Sequence, residues 1–190
     1  CFLGAALAQH GAHVTLVGRP RVLDGIRSQG LKATDFLGND YRPDLAKLTL
    51  CTELPQQLHN TLILVAVKSA ATEQVAQQLA ACSLQNSTVI SFQNGIYNAD
   101  ILKAALPNTP VFAGMVPYNV VEHGPGHFHR GSAGNLEVEA GPLAEHWSAL
   151  FDTAQMPLTR PNNMRATQWG KLLINLNNSV NALSGIPLKS

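Results

Sequence analysis

The amino-acid sequence predicts an α/β protein, a doubly wound parallel sheet with an appended antiparallel section, followed by the start of an all-helical domain. Three observations lead there. Strand-like and helix-like segments alternate as far as Val116; the run TLILVAV at 61–67 is apolar on successive residues, as a strand covered on both faces must be; and from Asn162 the pattern becomes one long helix.

The elements follow in chain order. CFLGAALAQHG reads as the body of a helix ending at Gly11, and HVTLVGR (13–19) as a β-branched strand. RVLDGIRSQG places Val22, Leu23 and Ile26 at helical spacing before a stop at Gly30. After the apolar strand at 61–67, Val75, Ala76 and Leu79 mark a helix, STVISF (87–92) a strand, NADILKAAL a helix and PVFAGMV (110–116) a further strand. Beyond Val116, YNVVEHGPGHFHRGSAGNLEVEA breaks into three short runs punctuated by Gly and Pro, which predicts an antiparallel meander appended to the sheet. A helix at LAEHWSALFDTA and a short strand at PLTR precede the long helix, which runs from Asn162 to about Leu183. The boundary predicted from this change of texture divides the chain into 1–161 and 162–190.

Composition narrows the function. The 190 residues are 45% hydrophobic with a formal charge of +1, and Lys and Arg are scattered, so no basic stripe suits a nucleic acid. No apolar run reaches the roughly 20 residues of a membrane span, and a cytoplasmic protein without membrane contact is expected. The odd number of cysteines, Cys1, Cys51 and Cys82, lacks any CxxC spacing and argues against a disulfide framework or a zinc site.

A doubly wound nucleotide fold places its glycine-rich phosphate loop at the start of its first helix. Cys1 opens the chain inside that helix, so the sequence reads as a piece lacking the loop. The next strand end still bears on the cofactor. An acidic residue there favours NAD and a basic one NADP; LVGRPR offers Arg19 and Arg21 with no adjacent carboxylate, and a guanidinium grips a phosphate through two hydrogen bonds. The alternative for Arg19 is a surface loop residue. Lys68 and Asn94 stand at the ends of two further parallel strands, where ligands of open α/β sheets bind. Taken singly, Lys68 also suits a solvated loop and Asn94-Gly95 an ordinary turn.

The long helix carries the strongest signal. Trp169, Leu172, Leu173, Leu176, Val180 and Leu183 form an apolar stripe, opposite Lys171, Asn175 and Asn178, with Ser179 and Asn181 flanking. Asparagine weakens a helix, and a face that only meets water is normally Glu, Lys, Gln or Arg. A lone lysine followed by neutral amides and a hydroxyl suits a polar substrate better.

LVAVKS, SFQNGIYN, NNMRATQWGKLLINLNNSVNALSG and the HGPGHFH hairpin, in that order and at these spacings, resemble the ketopantoate reductase (2-dehydropantoate 2-reductase) family over essentially the whole chain. The resemblance implies a Rossmann-type NADP-binding domain at 1–161, the first helix of a C-terminal helical domain at 162–190, and NADPH-dependent reduction of ketopantoate to pantoate, on the route to pantothenate. It makes Lys171 the general acid, and Asn175 and Asn94 substrate contacts. Lys68 and Asn94 become cofactor contacts, and Arg19 the NADPH phosphate ligand. Ser179 stands where the family commonly has another asparagine, and its hydroxyl can still bond the substrate. The glycine-rich loop and a later serine and glutamate of the helical domain have no counterpart here, so this piece by itself is expected not to turn over ketopantoate. A small 2-oxo acid is the expected partner, and a homodimer is compatible with the resemblance. Another 2-oxo acid as substrate, or a non-catalytic NADPH sensor, are the alternatives; retention of Lys171 with Asn175 argues against the sensor. His127 and His129, with His123 nearby, form the one metal-like grouping, but no suitable further ligand completes it, and no metal is expected.

Overall fold

The computed structural model describes the backbone of residues 1–184 and the side chains of residues 1–142 and 145–176. Its central ladder is made by the segments with the most apolar reading. β5 (Leu62–Val65), β6 (Thr88–Ser91) and β7 (Val111–Met115) pair in parallel, with Leu62 opposite Thr88 and Val89 opposite Val111. All four residues of β6 are buried. Alternate side chains of a strand leave opposite faces, and here they enter different cores. Val89 packs with Ala76 and Leu79 of α3 (Thr72–Ala80) and Leu102 of α4 (Asn98–Ala105). Ile90 belongs instead to the larger cluster that holds Phe2, Ala5 and Ala6 of α1 (Phe2–Gln9) and Phe151 of α5 (Pro142–Thr153). Helices therefore cover both faces, as the doubly wound reading requires. β10 (Leu136–Val138) runs antiparallel to β7 and parallel to β11 (Leu158–Thr159), giving the order β11-β10-β7-β6-β5.

Two smaller sheets lie outside this ladder. β1 (Val14–Val17) pairs in parallel with β4 (Leu48–Cys51), and α2 (Pro20–Gln29) follows β1. The other has the order β3-β2-β9-β8, from β2 (Lys32–Asp35), β3 (Asp40–Tyr41), β8 (Val120–Gly124) and β9 (His127–Arg130). The expected meander is thus corrected. Only β8–β9 forms an antiparallel hairpin; β9 then pairs in parallel with β2, and the third run, β10, joins the central ladder instead. Gly126 makes the hairpin's approach to α2 feasible: its φ is +74°, and a Cβ there would strike the Gly30 carbonyl oxygen. β2 and β3 carry no periodic apolar signal. Their turn is organised by Asp35, whose carboxylate accepts from Leu37 N (3.0 Å), Asn39 N (2.9 Å) and Asn39 Nδ2 (2.8 Å).

α6 (Met164–Ser184) begins at Asn163, whose side chain accepts from Ala166 N at 3.0 Å. Met164 packs with Ala99, Ala113 and Met115, and Arg165 bonds Asp100 of α4 at 2.7 Å. Of the apolar stripe read from the sequence, Trp169, Leu173 and Leu176 turn outward, 46%, 60% and 52% exposed, whereas Leu172 is half-buried and Val180 and Leu183 lie outside the described side chains; Gln168 is buried. Among the described residues no helix is long and apolar enough to cross a membrane.

Phe151 is fully buried and meets Phe92 edge-on, ring centroids 6.4 Å apart. Phe151→Ala is expected to cost about 3–5 kcal/mol, read from the shift in urea midpoint at unchanged slope.

Candidate active site

β5 and β6 are neighbours, and both run at their carboxyl ends into polar loops. Past β5, Lys68 caps a single 3-10 turn, Ser69–Ala71, that leads into α3. Its side chain is exposed and makes no hydrogen bond or ion pair among the described residues. Past β6 the backbone reaches Gln93, which is buried, and Asn94, which is exposed. Gln93 Nε2 donates to Val67 O (3.1 Å) and Thr72 Oγ1 (2.8 Å), so the end of one strand is fastened to the loop of the next.

α6 closes over these ends. Gln168, Lys171, Leu172 and Asn175 line a narrow cleft with Gln93, Asn94, Gly95 and Met115. The four-residue spacing of Lys171 and Asn175 puts both on one helix face, and that face is the inward one. Lys171 Nζ donates to Pro117 O, just beyond β7, at 3.0 Å. An ammonium has three donors, so this bond orients the group and leaves two for a ligand. Gln168 Nε2 reaches Gly114 O of β7 at 3.5 Å.

Asn94, Lys171 and Asn175 are therefore brought to one place, with Lys68 one strand along. Ser179 lies farther along α6, where side chains fall outside the described residues. Arg19 is not part of the cleft: it ends β1, in a different sheet, and caps α2 with Pro20 at the first helical position. The reading that no acid stands beside the two arginines needs correction. Glu122 of β8 arrives from 101 residues away and takes Arg21 in a bidentate pair at 2.9 and 2.7 Å. That hydrogen-bonded pairing holds the Glu122 carboxyl below the usual carboxylate range, and Arg19's charge adds to the effect. Arg21 is committed. The Arg19 side chain makes no hydrogen bond or ion pair among the described residues. Lys68, Asn94 and Arg19, all at carboxyl ends of parallel strands, are the groups that fit a dinucleotide's phosphates and amides.

Several polar residues of the site escaped the sequence reading: Gln168, and Thr72 and Asn98, which form a buried group with Gln93 of the SFQNG strand end. One signal was available. Ser91 and Gln93 are two apart at the end of an otherwise apolar strand, hence on one face, and Ser91 Oγ donates to Gln93 Oε1 at 3.0 Å. The histidines do gather: the His123 ring lies 5.0 Å from that of His129 and 5.4 Å from that of His127, and Thr34 Oγ1 is 2.9 Å from a nitrogen of each of the latter two. Among the described residues no group of His, Cys, Asp or Glu is placed to hold a metal ion.

Over residues 1–143 the sequence matches the family described as Ketopantoate reductase PanE/ApbA. It is 25% identical over 191 residues to a 2-dehydropantoate 2-reductase of Halobacterium salinarum, an alignment covering 97% of this chain and 62% of that protein. Among solved structures, a PanE/ApbA family ketopantoate reductase from Ralstonia eutropha JMP134 superimposes with a TM-score of 0.78 at 28% identity, covering 92% of this chain and 57% of the other. D-mandelate dehydrogenase with NADH and anilino(oxo)acetate gives 0.74 at 22% identity, with 90% and 56% covered, a likeness of fold alone. The chain spans about three fifths of the length of these relatives. The family match runs from α1 through β10, taking in both polar strand ends, and on it the chain belongs to the ketopantoate reductase family.

Proposed function

We propose that the protein containing this chain reduces 2-dehydropantoate to pantoate with NADPH, and that Lys171 is its general acid. The observation that carries this is the convergence of Lys171, Asn175 and Asn94 on one cleft at the carboxyl ends of the parallel strands. NADPH, when bound, supplies the hydride. This chain's residues do the rest. The Pro117 carbonyl steadies the Lys171 ammonium, whose remaining donors meet the substrate's keto oxygen, stabilise the charge that develops there and deliver the proton. Asn175, one turn on, and Asn94 offer neutral amides that orient the acid without adding a competing charge. Ser179 would extend this row by another turn. Lys68 and Arg19 hold the cofactor, Arg19 at the 2′-phosphate.

One observation favours a second reading, a 2-oxo acid reductase using NADH. Glu122 sets a carboxylate beside Arg21 and close enough to act on Arg19, which weakens the attraction for an extra phosphate.

In the complete protein, Lys171→Ala is expected to lower kcat by roughly 10²- to 10⁴-fold with the fold retained and the melting temperature lowered only modestly by loss of the Pro117 hydrogen bond. A near-normal kcat would remove the proposed acid. Arg19→Ala is expected to reduce the preference for NADPH over NADH by roughly 10- to 100-fold, the scale of a charge-assisted hydrogen bond, and Glu122→Gln to increase it. Comparing kcat/KM for the two cofactors checks both; an unchanged ratio in Arg19→Ala would favour the NADH reading. The ratio of kcat/KM between 2-dehydropantoate and other branched 2-oxo acids tests the substrate.

A further inference from the structure

We propose that Asn98 is a positioning residue, holding the Lys68 loop and the Asn94 loop in one fixed arrangement so that cofactor binding depends on a buried amide at the start of α4. The proposal rests on the functional reading above, since it takes those loops to be the cofactor's.

The hydrogen bonds around Asn98 form a chain with a single direction. Ser91 Oγ donates to Gln93 Oε1 (3.0 Å), Gln93 Nε2 to Thr72 Oγ1 (2.8 Å), and Thr72 Oγ1 to Asn98 Oδ1 (2.9 Å). Asn98 Nδ2 then donates to Ser69 Oγ (3.1 Å) and to Asn94 O (2.6 Å), and Ser69 Oγ donates its own proton to Asn94 O (2.6 Å). Each hydroxyl has one proton and each amide nitrogen two. All of these protons are used, including the second one of Gln93, which goes to Val67 O. Turning either amide over would bring oxygen against oxygen, so the side-chain orientations are fixed by the count. Thr72 is 0% exposed and Asn98 6%, so water cannot replace a lost partner cheaply.

The placement of this chain is what gives it a role. The Gln93 end grips Val67, the residue before Lys68; the Asn98 end grips Ser69, the residue after it, together with the carbonyl of Asn94. No helix or strand ladder joins those two loops directly, and the side chains do so instead. Gly95 makes the contact feasible. Its φ is +107°, and a Cβ there would sit 3.0 Å from Asn98 Nδ2 and 3.5 Å from Ser69 Oγ, tighter than ordinary packing on the amide side.

Asn98→Asp tests the idea with almost no change of shape. It keeps the acceptor that Thr72 uses and replaces both donors with an oxygen facing the Asn94 carbonyl. In the complete protein, fluorescence titration is expected to show the Kd for NADPH raised roughly 10- to 100-fold, the usual cost of losing a supporting partner behind a binding group. Amide hydrogen exchange without cofactor should accelerate in 68–71 and 94–98 together. The pH profile of kcat should keep its wild-type shape, because Lys171 is untouched. Thr72→Val should reproduce the effect and Thr72→Ser, which retains the hydroxyl, should restore wild-type binding; this pair decides the matter if Asn98→Asp does not fold. An unchanged Kd in a folded Asn98→Asp or Thr72→Val protein, or faster exchange in one loop alone, would overturn the proposal. An unsubstituted protein that binds no NADPH would instead overturn the functional reading, while the exchange data would still judge the coupling.

Discussion

Val89 and Ile90 are neighbours in β6 and neither is reached by solvent, yet they sit in two different cores. A strand covered on both faces can carry a polar side chain only where it is paired, as Ser91 is with Gln93 at the end of β6, because an unpaired polar group there would cost several kcal/mol. Burial of each such side chain contributes about 1.5–3 kcal/mol, and the sum holds α3 and α4 against one face and α1 and α5 against the other. Chemistry is thereby confined to the carboxyl ends, where the ladder stops and the backbone turns away. Lys68, Gln93 and Asn94 are placed by that constraint. The polar loops can afford their exposed lysine and amides because the apolar ladder behind them supplies the stability.

What the sequence made legible follows from the same constraint. TLILVAV and STVISF are recognisable because two-sided burial demands continuous apolar runs, and the helix from Asn162 is recognisable by its period. Lys171 and Asn175 stood out because asparagine is a poor choice for a helix face that meets only water. Other features are fixed by pairings distant in sequence. The KATD strand gains its partner from β9, and Glu122 reaches Arg21 across 101 residues; no local pattern encodes either. Thr72, Gln93 and Asn98 each look like ordinary cap and turn residues, and only their meeting gives them meaning. The outward turn of the apolar stripe on α6 was equally hidden, since periodicity defines a face without saying what it faces.

α6 is attached differently from the other helices. Its inner side meets the rest of the fold through Lys171 to Pro117 O, Gln168 to Gly114 O, and an exposed ion pair from Arg165 to Asp100, with Met164, in the small cluster beside β7, as its one buried apolar anchor among the described residues. Exposed ion pairs contribute about 0–1 kcal/mol, a neutral hydrogen bond about 1 kcal/mol net, and one from a charged group such as the Lys171 ammonium about 1.5–3 kcal/mol. The seam along the cleft is thus specific in geometry and modest in energy, as suits a surface that must admit a ligand. The seams of β6 are the reverse, unspecific in chemistry and large in area.

The parallel pairing of β2 with β9 joins Thr34 to His129 across 95 residues, and nearly every parallel strand of the central ladder lies between them. During folding β2 and β3 can pack against α1, but no further strand pairs with them until the β8–β9 hairpin has been made. A two-stranded ribbon is marginal in water. Leu31, Ala33 and Tyr41, buried in the finished protein, are therefore fully covered only once the later hairpin returns to the earlier strand. Long closures of this kind slow folding, so completion of the fold waits on a small sheet that contributes none of the residues lining the cleft.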